Sequence, residues 1–96
     1  MLATVARMQA IDDFRAALAR DAAMPQASIN LAEATERHAQ HLELAAMGEE
    51  SLRWLEKAVG CYRQALTVCG ERGTLRSRTL AKLEKAETRL AAQRGR

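Results

Sequence analysis

The chain carries one nine-residue pattern twice, and this repeat constrains the fold more than any other feature. The pattern, Ala-[Ile/Val]-x-x-[Phe/Tyr]-Arg-x-Ala-Leu, occupies residues 10–18 and 58–66, 48 positions apart. The two copies hold the only phenylalanine, Phe14, and the only tyrosine, Tyr62. On a helix, the alanines four residues before and three residues after each ring share its face, so a neighbouring helix can approach closely while the ring fills the gap. Repetition of such a unit predicts stacked helical hairpins, with each ring wedged inside its own hairpin.

Length and composition predict a single all-α domain. Ninety-six residues can bury a modest core without a metal or a disulfide. Five glycines, one proline and many alanine, leucine, glutamate and arginine residues favour helix over strand. We therefore expect one helical domain over residues 1–93.

Four helices are expected, arranged as two stacked antiparallel hairpins. They span about residues 3–23, 28–47, 49–69 and 74–93, followed by a basic tail at 94–96. Pro25 disfavours helix for the residue before it, and Ser28 and Thr74 are suited to cap the second and fourth helices. Gly48 is expected to close the second helix.

The third predicted helix has two adjacent apolar stripes. One contains Leu52, Leu55, Val59, Tyr62, Leu66 and Cys69, and the other contains Trp54, Ala58, Cys61, Ala65 and Val68. An ordinary surface helix buries a single face, so this helix must be covered on two sides. Gly60 in its interior is expected where a neighbouring backbone comes close.

The fourth predicted helix carries a basic strip beside its packing face. The packing face is expected to contain Leu75, Leu80, Leu83, Ala86 and Leu90, and the strip contains Arg78, Lys82, Lys85 and Arg89 at spacings of 4, 3 and 4. Like charges at these spacings repel one another. We predict that the strip is a rim that receives an acidic partner segment. The alternative is that the strip is simply a solvated face of a basic chain. Trp54 is predicted either to join the core or to form the wall of a groove that binds the partner.

Two segments resemble known helical interaction modules. Residues 56–66, EKAVGCYRQAL, resemble the second helix of a tetratricopeptide repeat, and they fit equally the second helix of the microtubule-interacting and trafficking domain. Residues 78–87, RTLAKLEKAE, are similar to the third helix of that domain. The resemblance implies binding of a peptide or helix in a groove between helices, without catalysis.

The sequence offers little for catalysis or for cofactor binding. His38 and His41 lie three residues apart, but no further ligands at recognisable spacing accompany them. Cys61 and Cys69 lie eight residues apart on one helix, roughly 12 Å, which is too far for a disulfide. We predict no catalytic residue, no cofactor and no metal. The absence of a secretory signal or an apolar span predicts a cytoplasmic protein.

The leading functional hypothesis is a non-enzymatic adaptor or chaperone-like module that holds an amphipathic helix or acidic peptide, as in trafficking or autophagy scaffolds. The alternatives are a small secretion chaperone and an obligate helical oligomer with a structural role. A net charge of +3 and three aromatic residues argue against nucleic-acid binding, which needs a basic surface and rings for stacking.

Overall fold

The computed structural model describes residues 2–21, 25–69 and 73–95, and within these ranges it contains four α-helices and no strand. The helices are α1 (Leu2–Arg20), α2 (Pro25–Leu44), α3 (Gly48–Val68) and α4 (Thr74–Arg94). The predicted all-α fold class is confirmed. None of the helices in the described ranges combines the length and apolarity needed to cross a membrane.

Two predicted helix boundaries and one predicted cap were wrong. α2 begins at Pro25. Proline suits the first position of a helix because its φ is already helical and because an N–H at that position would have no partner within the helix. Ser28 therefore lies inside the first turn and is not a cap. α1 ends at Arg20 rather than at 23, and residues 22–24 lie outside the described ranges. Gly73, with φ of 110°, occupies the cap position of α4, so Thr74 is the first helical residue.

The turn between α2 and α3 is closed by an alanine, contrary to the prediction that Gly48 closes α2. Ala46 has φ of 61°, in the left-handed region that favours glycine. The Met47 N–H donates to the Leu42 carbonyl at 2.9 Å, and the Ala46 N–H donates to the Glu43 carbonyl at 3.1 Å. These two bonds form a Schellman motif. Gly48 is instead the first residue of α3.

Consecutive helices pack antiparallel, and the largest interface lies between α2 and α3. Ser51, near the start of α3, donates to the carbonyl of Ala39, near the end of α2, at 2.7 Å. Arg76 of α4 similarly donates to the Leu66 carbonyl of α3 at 3.2 Å. α3 contacts both α2 and α4, so the prediction that it is covered on two sides is confirmed. The main cluster of buried apolar side chains contains Ala32, Ala39, Leu55, Val59, Tyr62, Leu83, Ala86 and Leu90.

The aromatic residues of the two repeat copies have different environments. Tyr62 is 1% exposed and lies in the core. Phe14 is only half-buried and lies outside that cluster. The prediction of equivalent rings was wrong because α3 is packed between two helices, whereas the principal interface of α1 is with α2 alone.

The packing face of α4 is narrower than predicted. Leu83, Ala86 and Leu90 are buried as expected, but Leu75 and Leu80 are 36% and 42% exposed. Thr79 is buried and donates its hydroxyl to the Leu75 carbonyl at 2.7 Å, which allows a polar residue to occupy the inward position. The predicted basic tail is also shorter, because Arg94 ends α4 and pairs with Glu56 of α3 at 3.2 Å.

Candidate functional site

The predicted basic strip of α4 is partly neutralised within the molecule. Lys82 forms an ion pair with Glu33 of α2, and the Arg89 Nη1 atom lies 2.8 Å from the Glu36 Oε2 atom. Arg78 and Lys85 are exposed and make no ion pair with any residue in the described ranges. Two of the four predicted cations therefore join α4 to α2.

Glu36 connects three helices. Its Oε1 atom accepts a hydrogen bond from the Tyr62 hydroxyl at 2.8 Å, and its Oε2 atom accepts one from Arg89. Burial, followed by the hydrogen bond to Glu36, raises the pKa of Tyr62, so the phenol stays protonated and remains a donor. The sequence did not identify Glu33 and Glu36 as the partners of Lys82 and Arg89, although their spacing of three residues places them on one face of α2. Glu36 thus satisfies the polar end of a buried ring.

Trp54 is half-buried and packs beside the core. Its ring meets the edge of His38, with centroids 4.6 Å apart and planes at 88°. The Lys57 Nζ atom lies 4.4 Å from the Trp54 centroid, within cation–π distance. Trp54 therefore has two intramolecular partners, His38 and Lys57.

The two predicted histidines have different surroundings. His38 is 4% exposed, and its Nδ1 atom accepts a hydrogen bond from Arg7 Nε at 3.4 Å, whereas His41 is exposed. Burial is the main cause that lowers the pKa of His38, and the positive charges of Arg7 and His41 act in the same direction. Within the described ranges, no group of three His, Cys, Asp or Glu side chains is placed to hold a metal.

A groove of about 340 Å³ lies between α1, α2 and α3, and we call it the α1/α3 groove. Its walls contain Leu18 of α1, Ser28 and Leu31 of α2, and Gly60, Cys61 and Gln64 of α3. Two exposed cations, Arg15 of α1 and Lys57 of α3, complete the lining. The volume lies at the lower end of the range for ligand pockets, and the lining combines apolar side chains with a few polar groups.

Gly60 is the α3 residue that helix packing does not explain. A Cβ atom added to Gly60 would meet no atom within 4 Å. The expectation that a neighbouring backbone approaches this glycine was therefore wrong. A glycine inside a helix costs about 1 kcal/mol relative to alanine. At Gly60, the missing side chain leaves this part of the groove open.

Ser28 and Cys61 place two polar atoms beside the groove. Ser28 is 1% exposed, and its Oγ atom has no hydrogen-bond partner among the described residues, which costs about 1 to 3 kcal/mol for a buried hydroxyl. Burial raises the pKa of the Cys61 thiol, although Arg15 and a hydrogen bond with Thr35 act in the opposite direction. Cys61 is therefore a protonated thiol at neutral pH.

Sequence reasoning assigned Cys61 to an apolar stripe and gave no binding role to Arg15, Lys57 or Gly60. The glycine in the middle of an apolar helix was the one signal available, because such a residue lowers helix stability without supplying a side chain.

The chain matches no protein-family model, no curated protein and no solved structure.

Proposed function

We propose that the protein is a non-enzymatic interaction module whose α1/α3 groove binds an amphipathic segment of a protein partner. The main support is that two residues that lower local stability, Gly60 and Ser28, both line this apolar groove. Gly60 weakens α3 and Ser28 buries an unpaired hydroxyl, and neither gains a compensating contact within the described residues. Departures from local consistency of this kind are expected at functional sites.

The dimensions of the groove suit a short helix. Lys57, Gly60, Cys61 and Gln64 stand at positions i, i+3, i+4 and i+7 of α3, which form one stripe. The stripe extends for two turns, roughly 10 Å at 1.5 Å per residue. A partner helix of two or three turns can lay one or two apolar side chains against it, as in other helix-in-groove complexes.

The chemistry of the lining favours binding over catalysis. A cysteine or serine nucleophile is activated by a lowered pKa or by an adjacent base. The pKa of Cys61 is raised, and Ser28 has no hydrogen-bond partner in the described ranges. We therefore propose that these groups shape the groove and form no covalent intermediate.

A structural oligomer is the second candidate, because large apolar side chains are exposed at the turn between α2 and α3. Leu44 is 86% exposed and Met47 is 42% exposed. A second copy covering this turn would bury both residues. Molar mass measured by light scattering over a concentration series separates the candidates, because a groove-binding module stays monomeric and an obligate oligomer does not. A cytoplasmic location and a trafficking, autophagy or secretion-chaperone role remain predictions.

The groove is tested with a displayed library of random 14-residue peptides. Peptides selected on the parent protein are counter-selected on Gly60→Leu, whose side chain enters open space and fills the groove. The control is Ala91→Leu, which introduces the same side chain at an exposed, uncharged position of α4 outside the groove lining. We expect binders with apolar anchors at helical spacing that are lost on Gly60→Leu and retained on Ala91→Leu. Binders that treat the two variants alike would contradict the proposal.

A further inference from the structure

We propose that the α1/α3 groove selects partner segments that carry a carboxylate beside the apolar anchor, and that Arg15 and Lys57 hold this carboxylate from opposite walls. This inference rests on the proposed function. The sequence predicted that acidic partners bind the basic strip of α4. We instead assign their binding to Arg15 and Lys57, which the sequence did not indicate.

The charged side chains that line the groove are positive. Among the described residues, the lining contains Arg15 and Lys57 and no acidic residue. Neither cation forms an ion pair with any residue in the described parts of the chain. A segment that enters the groove therefore meets two positive charges without an ion-pair partner in the described residues, and a carboxylate on that segment can act as their counter-ion.

The two cations reach the groove from different helices. Arg15 lies on α1, and its positive charge favours the thiolate form of Cys61, so its field extends to the α3 wall. Lys57 lies on α3, and its ammonium lies 4.4 Å from the centroid of the Trp54 ring.

Lys82 and Arg89 differ because their charges already have partners. Glu33 and Glu36 lie against them, so an incoming carboxylate would meet acidic groups beside each cation. Like charges brought together in this way weaken an interface. Arg78 and Lys85 are exposed cations without ion pairs in the described ranges, but neither lines the α1/α3 groove. They therefore serve as matched controls for the two groove cations.

The test uses the binders from the random 14-residue library that depend on an open groove. Their affinities are measured by fluorescence anisotropy against Arg15→Glu and Lys57→Gln, and against the controls Arg78→Glu and Lys85→Gln. We expect aspartate or glutamate within one turn of the apolar anchor, and about a tenfold loss of affinity for each groove variant, as for a charge-assisted hydrogen bond. The control variants should bind like the parent. Replacing the peptide carboxylate with its amide should lose more affinity on the parent than either groove variant does. The same replacement should lose less on Arg15→Gln, where one of the two cations is already absent.

The outcomes separate the two proposals. Groove-dependent binders without acidic residues, or with equal losses on the groove and control variants, overturn the carboxylate assignment and leave the proposed function standing. Acidic binders that weaken only on the α4 variants overturn it in favour of the α4 strip. A library that yields no groove-dependent binder overturns both. Circular dichroism of each variant shows that the fold is retained, and Arg15→Gln repeats the measurement with a milder change.

Discussion

At the scale of the residue, three residues of this protein lower the stability of the folded state locally. Gly60 weakens a helix, Ser28 buries an unpaired hydroxyl, and Ala46 adopts a backbone conformation that suits glycine. The first two lie at the α1/α3 groove, whereas Ala46 closes a turn at the end of α2. Replacing each of them should stabilise the free protein, but only the two groove residues should also affect a partner.

Gly60→Ala is expected to raise the free energy of unfolding by about 1 kcal/mol, because alanine is the better helix former and its Cβ meets no neighbour. Urea denaturation of the parent and the variant measures the difference. A loss of stability would show that the open space at Gly60 is occupied in solution.

Ala46→Gly should stabilise by about 1 kcal/mol, because glycine adopts a φ of 61° without the steric cost that alanine bears. Ala45→Gly is the control, since the neighbouring residue has no positive φ and glycine only adds flexibility there. Denaturant midpoints that move in the same direction for both variants would contradict the assignment of strain to Ala46.

His38 predicts a specific dependence of stability on pH. Its pKa is lowered in the folded protein, so the unfolded chain binds a proton more readily. The free energy of unfolding should therefore be highest above the unfolded pKa of about 6.5 and should fall as the pH drops through the folded pKa. His38→Gln should flatten this decline between about pH 6.5 and 5, above the range of the carboxylates. His41→Gln should flatten it only slightly, because the His41 charge is a smaller cause of the lowered pKa than burial. Glu50 of α3 opposes the shift, so Glu50→Gln should steepen the decline.

At the scale of the element, the two copies of the repeat are predicted to differ in energetic weight. Tyr62→Ala should cost about 3 to 5 kcal/mol, because it removes a buried ring and leaves Glu36 without one of its donors. Phe14→Ala should cost less than half as much, since this ring is half-buried. Thermal or denaturant unfolding of both variants measures the ratio of the two stability losses. Equal losses would contradict the prediction and show that the two rings contribute equally.

The contact between α2 and α4 is tested by reversing single charges on α4. Lys82→Glu places a carboxylate against Glu33 and should cost about 0.5 to 1 kcal/mol, a small value because the pair is partly exposed. Lys85→Glu changes the net charge equally and should leave the midpoint almost unchanged, because Lys85 is exposed and makes no ion pair in the described parts of the chain. A matching loss for both variants would indicate a general charge effect.

At the scale of the whole molecule, the sequence predicted what depends on periodicity and missed what depends on distant partners. The double stripe of α3 follows from residue spacing, so the coverage of this helix on two sides was predictable. The partners of Lys82 and Arg89 lie 49 and 53 residues away, and no local pattern links them. A groove between helices was predicted, but its position was missed, because locating it requires knowing that α1 leaves Gly60 uncovered.

The attachment of α1 principally to α2 has a consequence for hydrogen exchange. α1 supplies one wall of the groove, and Ile11 is its one fully buried side chain among those described. Its amide protons should therefore exchange through a local opening that leaves α2, α3 and α4 folded. A bound partner that touches both walls should slow the exchange of α1 amides while leaving the exchange at Leu55 and Val59 unchanged. Mass spectrometry with and without a selected peptide measures the exchange of both sets of amides. Slower exchange in α1 alone would show that the bound peptide holds α1 against the rest of the protein.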